Sequence, residues 1–361
     1  MRPGVVEVAR IAGVAPSTVS NVFNRPNVVS EELSARVLAA AATLGYDGAD
    51  PAGRNLRQGR TNAIGVVMRE RLAYAFEDAA IVQLMQGFSE AADLRQLALV
   101  IVPAPPEAGA FSGPAVRHVA VDGLLVYSLA SDDPLLNAVR RRYLPTVVVD
   151  SPSPPDIAAG DNFEFVGIDE QRPAHAAVEH LLALGHRRLG IISTRLAARA
   201  SPGVADLSQQ QAATASVPRG RLRGAQAAID AAGLPWRDVP VVQCQISTIE
   251  EGRAAAHLLL DRTPSTTAIF AFSDPLALGA RLAATERGLR VPDDLSIVGF
   301  DDSAPASEGL TTVAQPLRDK GRIATERLLR MIDRTQVSGA EPLLPTAMVI
   351  RASTAVPGDR S

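Results

Sequence analysis

VVEVARIAGVAPSTVSNVFN, residues 5–24, is the stretch on which the reading turns. Val8, Ile11 and Ala12 recur at helical spacing and give one apolar face. Gly13 breaks that pattern at a place where the backbone needs a positive φ. Val14, Val19, Val22 and Phe23 then resume it, and Ala9 is small where two helices would cross. Pro16 suits the first turn of the second helix. Two short helices with a glycine turn and a packed seam make a helix-turn-helix. In that motif the second helix enters the major groove with its N-terminal residues on base edges. Those residues here are Pro16, Ser17, Thr18 and Asn21. Ser17 and Asn21 are the candidates for base contact, because an amide pairs bidentately with adenine. Thr18 and Ser20 suit phosphate contacts, and Asn24 completes the set. A purely structural three-helix bundle would satisfy the same apolar pattern.

Working outward, residues 30–44 read as a third helix. Ser30 is its N-cap, and Leu33, Val37, Leu38, Ala41 and Leu44 form its buried side. Residues 47–61, DGADPAGRNLRQGRT, are a Gly/Pro/Arg-rich connector. Beyond it apolar runs alternate with helix-like stretches. The first set is AIGVV (63–67), LALVIV (97–102), GLLVYS (123–128) and TVVVD (146–150). The second is LGIIS (189–193), VVQCQI (241–246), AIFAFS (268–273) and SIVGFDD (296–302). Runs of this kind are strands buried on both faces, so the pattern predicts βαβ units and parallel sheets. Two sets predict two α/β lobes. The organisation expected is an all-α helix-turn-helix domain over 1–47, a hinge over 48–61, and a two-lobed α/β domain over 62–361. Residues 194–219, rich in Ala, Ser and Gln, lack a clean period. They read as a long loop, mobile without a partner, and either a neutral insertion or a flap over a ligand cleft.

Composition narrows the function class. The 361 residues are 47% hydrophobic and 21% charged, which excludes a wholly disordered chain. The net charge of -3 excludes a polybasic nucleic-acid coat. Yet the first 61 residues hold seven arginines against five acids, so the small positive excess lies where the helix-turn-helix lies. Cys244 is the only cysteine, which leaves no intramolecular disulfide and no cysteine-rich zinc site. Lys320 is the only lysine among 36 basic residues. That bias is read as GC-rich coding, so no arginine gains weight merely by being one. No secretory signal and no apolar run of membrane-spanning length is found, and a cytoplasmic, nucleoid-associated protein is expected.

The whole chain resembles the LacI/GalR family of bacterial transcriptional regulators over residues 5–355. The resemblance is carried by VARIAGVAPSTVSNVFN (8–24), the Leu-Gly-Tyr at 44–46 and RNLRQGRTNAIGVV (54–67). HLLALGHRRLGII (180–192), RLRGAQAAI (221–229) and SDPLALGA (273–280) continue it. VPDDLSIVGFDD (291–302) and LTTVAQP (310–316) complete it. It implies a hinge at residues 50–60 that becomes helical when two protomers bind operator. Leu56, in the setting Arg54-Asn55-Leu56, matches the leucine that wedges into the minor groove at the operator centre. Such a wedge partly unstacks a base step and kinks the duplex. Three departures stand out. Ala15 replaces the usual serine before the second helix, losing an N-cap worth about 1 kcal/mol. Gly53 replaces the usual alanine, at about 1 kcal/mol of helix propensity. The segment from Tyr46 to Arg54 is one residue longer, which puts the half-site spacing in doubt.

The two lobes look like the periplasmic-binding-protein fold. In open parallel sheets ligands sit outside the carboxyl ends of strands, so polar residues just after strands are the candidates. Tyr127 ends GLLVY, Asp150 ends TVVVD, Ser273 and Asp274 end AIFAFSD, and Asp301 and Asp302 end SIVGFDD. By the resemblance, Arg221 and Asp301 match positions that commonly bind effector hydroxyls or carboxylates. Asp150, Tyr127 and Ser273 match positions lining the same pocket. An Arg fork beside carboxylates suits a sugar, though Arg221 would also accept a carboxylate or purine. Gln315 belongs either to the pocket or to the crossing between lobes. Tyr74, Phe76 and Asp78 either face the cleft, where aromatics stack on a sugar, or pack within the lobe. Asp274 reads as the N-cap of a helix over 275–288, Asp302 as either a cap of the following segment or a pocket residue, and His186 as structural.

No nucleophile elbow, zinc-protease motif or P-loop is present, so no enzyme is expected. The resemblance implies a repressor, with no cofactor or metal, binding a pseudo-palindromic double-stranded operator. It would be a homodimer, away from membranes, because no heptad helix follows MVIRAST. A small molecule, expected to be a carbohydrate, would control it. Whether that ligand induces or corepresses, or the protein instead activates, stays open.

Overall fold

The computed structural model describes residues 4–47, 59–104, 113–157, 162–335 and 343–358. The chain divides into two compact units, Met1–Asn62 and Ala63–Ser361.

The first unit is all-α. Helices Val5–Ala12, Pro16–Asn24 and Glu31–Leu44 enclose a core of Val8, Ala9, Ala12, Val19, Val22, Val37, Ala40, Ala41 and Tyr46. Gly13 takes φ +62°, the left-handed conformation that the turn requires, and its N–H bonds to Ala9 O. Arg36 Nε donates to Ala12 O at 3.1 Å, answering a carbonyl left open at the first helix's end. Ser30 Oγ accepts from Leu33 N, so it caps the third helix as read. Ala15 precedes the second helix with no side-chain cap. Two residues assigned to apolar faces lie outside: Ile11 is 44% exposed and Leu38 50%. The buried seam is narrower than spacing suggested, because Ala9, Ala40 and Ala41 let the backbones close on small side chains.

The second unit holds two sheets. Strands β1 (Ala63–Met68), β2 (Ala98–Pro103), β3 (Gly123–Tyr127), β4 (Thr146–Val149) and β5 (Phe163–Ile168) belong to the first lobe. Strands β6 (Leu189–Ser193), β7 (Gly203–Val204), β8 (Val241–Gln243), β9 (Ala268–Ala271), β10 (Ser296–Asp301) and β11 (Thr311–Ala314) belong to the second. Two short strands follow, β12 (Leu343–Leu344) and β13 (Ala347–Val349). The orders are β12-β5-β4-β3-β1-β2 and β13-β11-β10-β9-β6-β8-β7. All pairings are parallel except β11 with β13 and β7 with β8. Apolar strands with helices on both faces follow from the continuous runs of Val, Ile, Leu and Ala.

Among the described residues the chain crosses between lobes three times. It leaves β5 for the helix Gln171–Ala183, whose Ala174, Ala177 and Leu181 sit in the second lobe's core. It returns from β11 into the helix Leu317–Ile332, whose Ala324 and Leu328 sit in the first lobe's core. It crosses last between β12 and β13. The returning helix lies very close to the helix Ala79–Asp93. A Cβ at Gly87 would fall 2.0 Å from Arg318 O, and one at Gly321 would fall 2.2 Å from Leu84 O. Gly87→Val must therefore force these helices apart. We expect urea unfolding to register a loss of about 3 kcal/mol; an unchanged midpoint would show that the contact yields freely.

Residues 194–219 differ from the expected loop. They contain β7, a short helix Leu207–Gln211 and the start of the helix Ser216–Ala231. A capping box between Asp206 and Gln209 fixes the short helix. The segment also fastens onto the first lobe. Ser131 N donates to Thr214 O at 3.0 Å, and Thr214 Oγ1 donates to Asp132 Oδ1 at 2.6 Å. Ser216 Oγ accepts from Ser153 N at 2.9 Å, and Arg219 pairs with Asp156 at 2.5 Å. Burial would raise the Asp156 carboxyl, but Arg219 and the Ser153 and Ser216 hydroxyls outweigh it and hold it below its ordinary range. The stretch is a clasp between lobes.

Candidate functional site

The second helix of the first unit presents a polar face. Pro16 and Ser17 are exposed, while Thr18, Ser20 and Asn21 are half-buried. Asn24 is exposed, but its amide donates to Ser20 O at 2.8 Å and Ser20 Oγ at 3.2 Å. Asn24 therefore holds Ser20 within its own helix. Arg54, Asn55 and Leu56 lie outside the described residues.

In the second unit a cavity of about 150 Å³ opens between the lobes. Strand ends build it. Tyr127, Asp150, Ser273 and Asp301 line it from the ends of β3, β4, β9 and β10, with Asp78, Arg221 and Gln315. Tyr74 also lines it, its hydroxyl 2.6 Å from Asp78 Oδ2 and 3.1 Å from Ser247 O of the other lobe. Phe76 does not reach the cavity and is 64% exposed. It falls on the outer side of the short helix Leu72–Glu77, while Asp78 caps the next helix through Ala80 N and Ile81 N.

A chain of buried charges runs beneath this cavity. Lys320 Nζ donates to Asp150 Oδ1 at 2.6 Å and to Gln315 Oε1 at 2.5 Å. Gln315 Nε2 donates to Asp301 Oδ1 at 2.6 Å. Arg221 Nη2 stands 4.0 Å from that same oxygen, and its Nε donates to Glu170 Oε2 at 2.7 Å. Arg221 Nη1 also donates to Phe272 O, and the guanidinium lies over the Phe300 ring at 3.5 Å. One linked array thus joins both lobes through Gln315, at the second crossing. Gln315 belongs to the cavity and to the crossing at once.

Electrostatics follow from burial. Asp301 and Glu170 are pushed up by burial, with Arg221 opposing the rise in both. Burial would lower Arg221, but Glu170 and Asp301 overcome it and hold the guanidinium firmly protonated. Burial raises the Tyr127 phenol, and the carboxylates of Asp150, Asp78, Asp301 and Glu70 add to the rise, so it stays a neutral hydroxyl. The backbone is unusual at the same place. Ser128, Asp150, Asp301 and Asp302 all have left-handed φ, +52°, +67°, +109° and +51°. Non-glycine residues in this region concentrate where structure overrides local preference, often at binding sites.

The remaining strand-end residues are structural. Ser273, not Asp274, is the N-cap of the helix Asp274–Glu286, with Pro275 one place further in. Asp274 is fully buried and accepts from Ser303 N at 2.7 Å, Ser303 Oγ at 2.9 Å and Thr312 Oγ1 at 2.6 Å. Burial lifts its carboxyl to about 6 against those donors. Asp302 makes an ion pair with Arg351 at 2.8 Å. His186 is buried between Thr267 Oγ1 and Ala355 O.

Lys320 and Glu170 are members of this array that the sequence pattern did not single out. Lys320 is 0% exposed and faces two cavity residues. The signal was its singularity: one lysine in a chain that otherwise uses arginine.

A family model for bacterial regulatory proteins of the lacI family matches residues 5–48, and a periplasmic binding protein-like model matches 178–354. The HTH-type transcriptional regulator IpsA of Corynebacterium glutamicum is 37% identical over 337 residues, 92% of each chain. The chain belongs to the LacI family. It is a transcriptional regulator with an N-terminal helix-turn-helix and an α/β domain of parallel sheets. Two solved structures give family context. A CelR–cellobiose complex matches with TM-score 0.70 and 28% identity, over 98% of this chain and all of the other. A lac repressor dimer bound to operator and the anti-inducer ONPF matches with TM-score 0.77 and 25% identity, over the same shares. In this LacI-family chain no described helix is long and apolar enough to cross a membrane.

Proposed function

We propose that this regulator is a homodimeric, operator-binding repressor whose DNA affinity is set by a small carbohydrate-like effector held between the lobes. The cavity carries the reading. Its lining comes from both lobes and is wired by hydrogen bonds to the second crossing. A ligand there bonds to both lobes and favours one arrangement of the crossings over another. It acts only through its differential affinity for those arrangements. The solved dimer with operator, and the complex with cellobiose, support a DNA partner and a sugar effector for this chain. Ser17 and Asn21 would read bases, with Thr18 and Ser20 on phosphates. Arg54, Asn55 and Leu56 would serve the hinge and the minor groove. The protein would act in the cytoplasm on the nucleoid.

Selection of bound duplexes from a random library, without ligand and at two salt concentrations, tests this. Recovery of one pseudo-palindrome is the expected result. Recovery of only salt-sensitive, sequence-independent binding would reject a ligand-free repressor and point to a corepressor. On the selected site, Leu56→Ala should weaken binding about tenfold or more, because the unstacking wedge is lost, with ligand binding unchanged. Unchanged operator affinity would remove the wedge.

A further inference from the structure

We propose that the first lobe carries a DNA-backbone contact surface of its own, at the end of its sheet opposite the inter-lobe cavity. The partner is duplex DNA, held through its phosphates without any reading of bases. Topology places the surface. Strands β1 to β5 pair in parallel, so all of them start at one end of the sheet. The cavity lies at the other end, where Tyr127 and Asp150 close β3 and β4. Strand β1 starts at Ala63, directly after the first unit ends at Asn62. The chain therefore enters this lobe, from the DNA-binding unit, at the end where the strands start.

That end is positively charged. The helices Ala79–Asp93, Gly113–His118 and Pro134–Arg140 finish there and lead into β2, β3 and β4. Their last two residues and the loops that follow, 92–97, 117–122 and 139–145, hold Arg95, Arg117, Arg140, Arg141 and Arg142 against Asp93 and Asp122. The second lobe serves as an internal control, because it is built the same way. Its corresponding segments, 182–188, 230–240, 261–267 and 285–295, hold six arginines against six acids. Coding bias supplies arginine to both lobes. It does not keep acids away from one of them.

The side chains at this end divide by use. Arg142 serves the fold: its Nη1 donates to Val116 O at 2.5 Å and Val119 O at 2.9 Å, closing the end of the neighbouring helix. Arg95 pairs with Asp333 at 3.2 Å. Arg117 and Arg141 are exposed, and among the described residues their side chains make no hydrogen bond or ion pair. In the second lobe, by contrast, Arg287 pairs with Asp261 and Arg290 with Asp294. Beside Arg141 a groove of about 310 Å³ is lined by Arg140, Tyr143 and Asn162. Tyr143 is 88% exposed and holds φ +52°, a conformation that favours glycine. An exposed aromatic kept against backbone preference marks a contact residue. Arg, Tyr and Asn side chains are common donors to phosphate oxygens, and such contacts hold a protein on the duplex without reading sequence.

The test is the salt dependence of DNA binding by the full-length protein, on the selected operator and on an unrelated duplex of equal length. Each phosphate contact contributes about 0.9 to the slope of log K against log salt. Arg117→Gln/Arg141→Gln should lower the slope by about 2 and weaken binding about tenfold, to the same degree on both duplexes. Arg188→Gln/Arg262→Gln removes the same charge from exposed positions at the matching end of the second lobe and should leave the slope unchanged. Thermal melting should be parent-like in both variants, since all four side chains are exposed. An unchanged slope in the first-lobe variant overturns the proposal. So does an equal fall in the second-lobe variant, which would report net charge alone. A fall confined to the operator also overturns it, because a backbone contact does not discriminate between sequences. The unrelated duplex carries the test even where no pseudo-palindrome is recovered, so failure of the repressor reading and failure of this surface are separate results.

Discussion

Arg221→Ala is expected to destabilise the second unit by about 3–5 kcal/mol and to abolish the effector response together. The guanidinium serves Glu170, Phe272 O, Phe300 and Asp301 from a nearly buried position. Alanine leaves two buried carboxylates facing Asp150 without that cation. Both already have raised pKa values from burial, and Arg221 is what opposes the rise. Without it they rise further. A carboxylate whose folded pKa lies above its unfolded value gains stability from protonation as pH falls, and loses it as pH rises through the folded value. The deficit of the variant against the parent should therefore be larger at pH 8 than at pH 5. Urea unfolding at both values checks the sign. A deficit independent of pH would mean that lost packing on Phe300 dominates. Parent-like stability with an intact ligand response would remove Arg221 from the site altogether.

The fold was legible where physics leaves a strong mark. Strands β1, β3, β4, β6 and β9 are apolar runs because parallel strands are covered on both faces. Strand β5 escaped because Glu164 interrupts FEFVGI; its charge is met by Arg327 at 3.0 Å, a pairing no local pattern reveals. Strands β7, β12 and β13 have two or three residues each, too few to show a period. The clasp at 194–219 looked like a loop because Ala, Ser and Gln carry no apolar stripe. Asp206 and Gln209 stand at capping-box spacing, a local helix-start signal that the reading as a loop did not use.

The site was legible in part for a related reason. Strand ends point to cavities in this fold class, and that rule located Tyr127, Asp150, Ser273 and Asp301. It misplaced the cap at Asp274, because a one-residue shift between Ser273 and Asp274 exchanges a cavity-lining cap for a fully buried anchor. It missed Lys320 because a helix-interior residue follows no strand. Its singularity in an arginine-rich chain was the only mark it carried.

Lys320 supports the other large effect. Lys320→Met should cost about 3–5 kcal/mol, because Asp150 is left buried with its nearest cation gone. Lysine suits the place better than arginine would. A compact ammonium with three donors fits between Asp150 Oδ1 and Gln315 Oε1, where a planar fork would not. The informative experiment is the double variant Lys320→Met/Asp150→Leu. Replacing both members of a buried pair by apolar groups of similar volume is often neutral or stabilising. The double variant should thus recover to within about 1 kcal/mol of the parent in urea unfolding, despite the loss in the single one. It should nevertheless fail to bind the ligand, because the free Asp150 oxygen has gone. Recovery of stability without recovery of binding would show that the pair is kept for the cavity and not for the fold. If instead the double variant stays as unstable as the single, Lys320 holds the crossing through Gln315 alone. If it recovers binding, Asp150 is not a ligand contact.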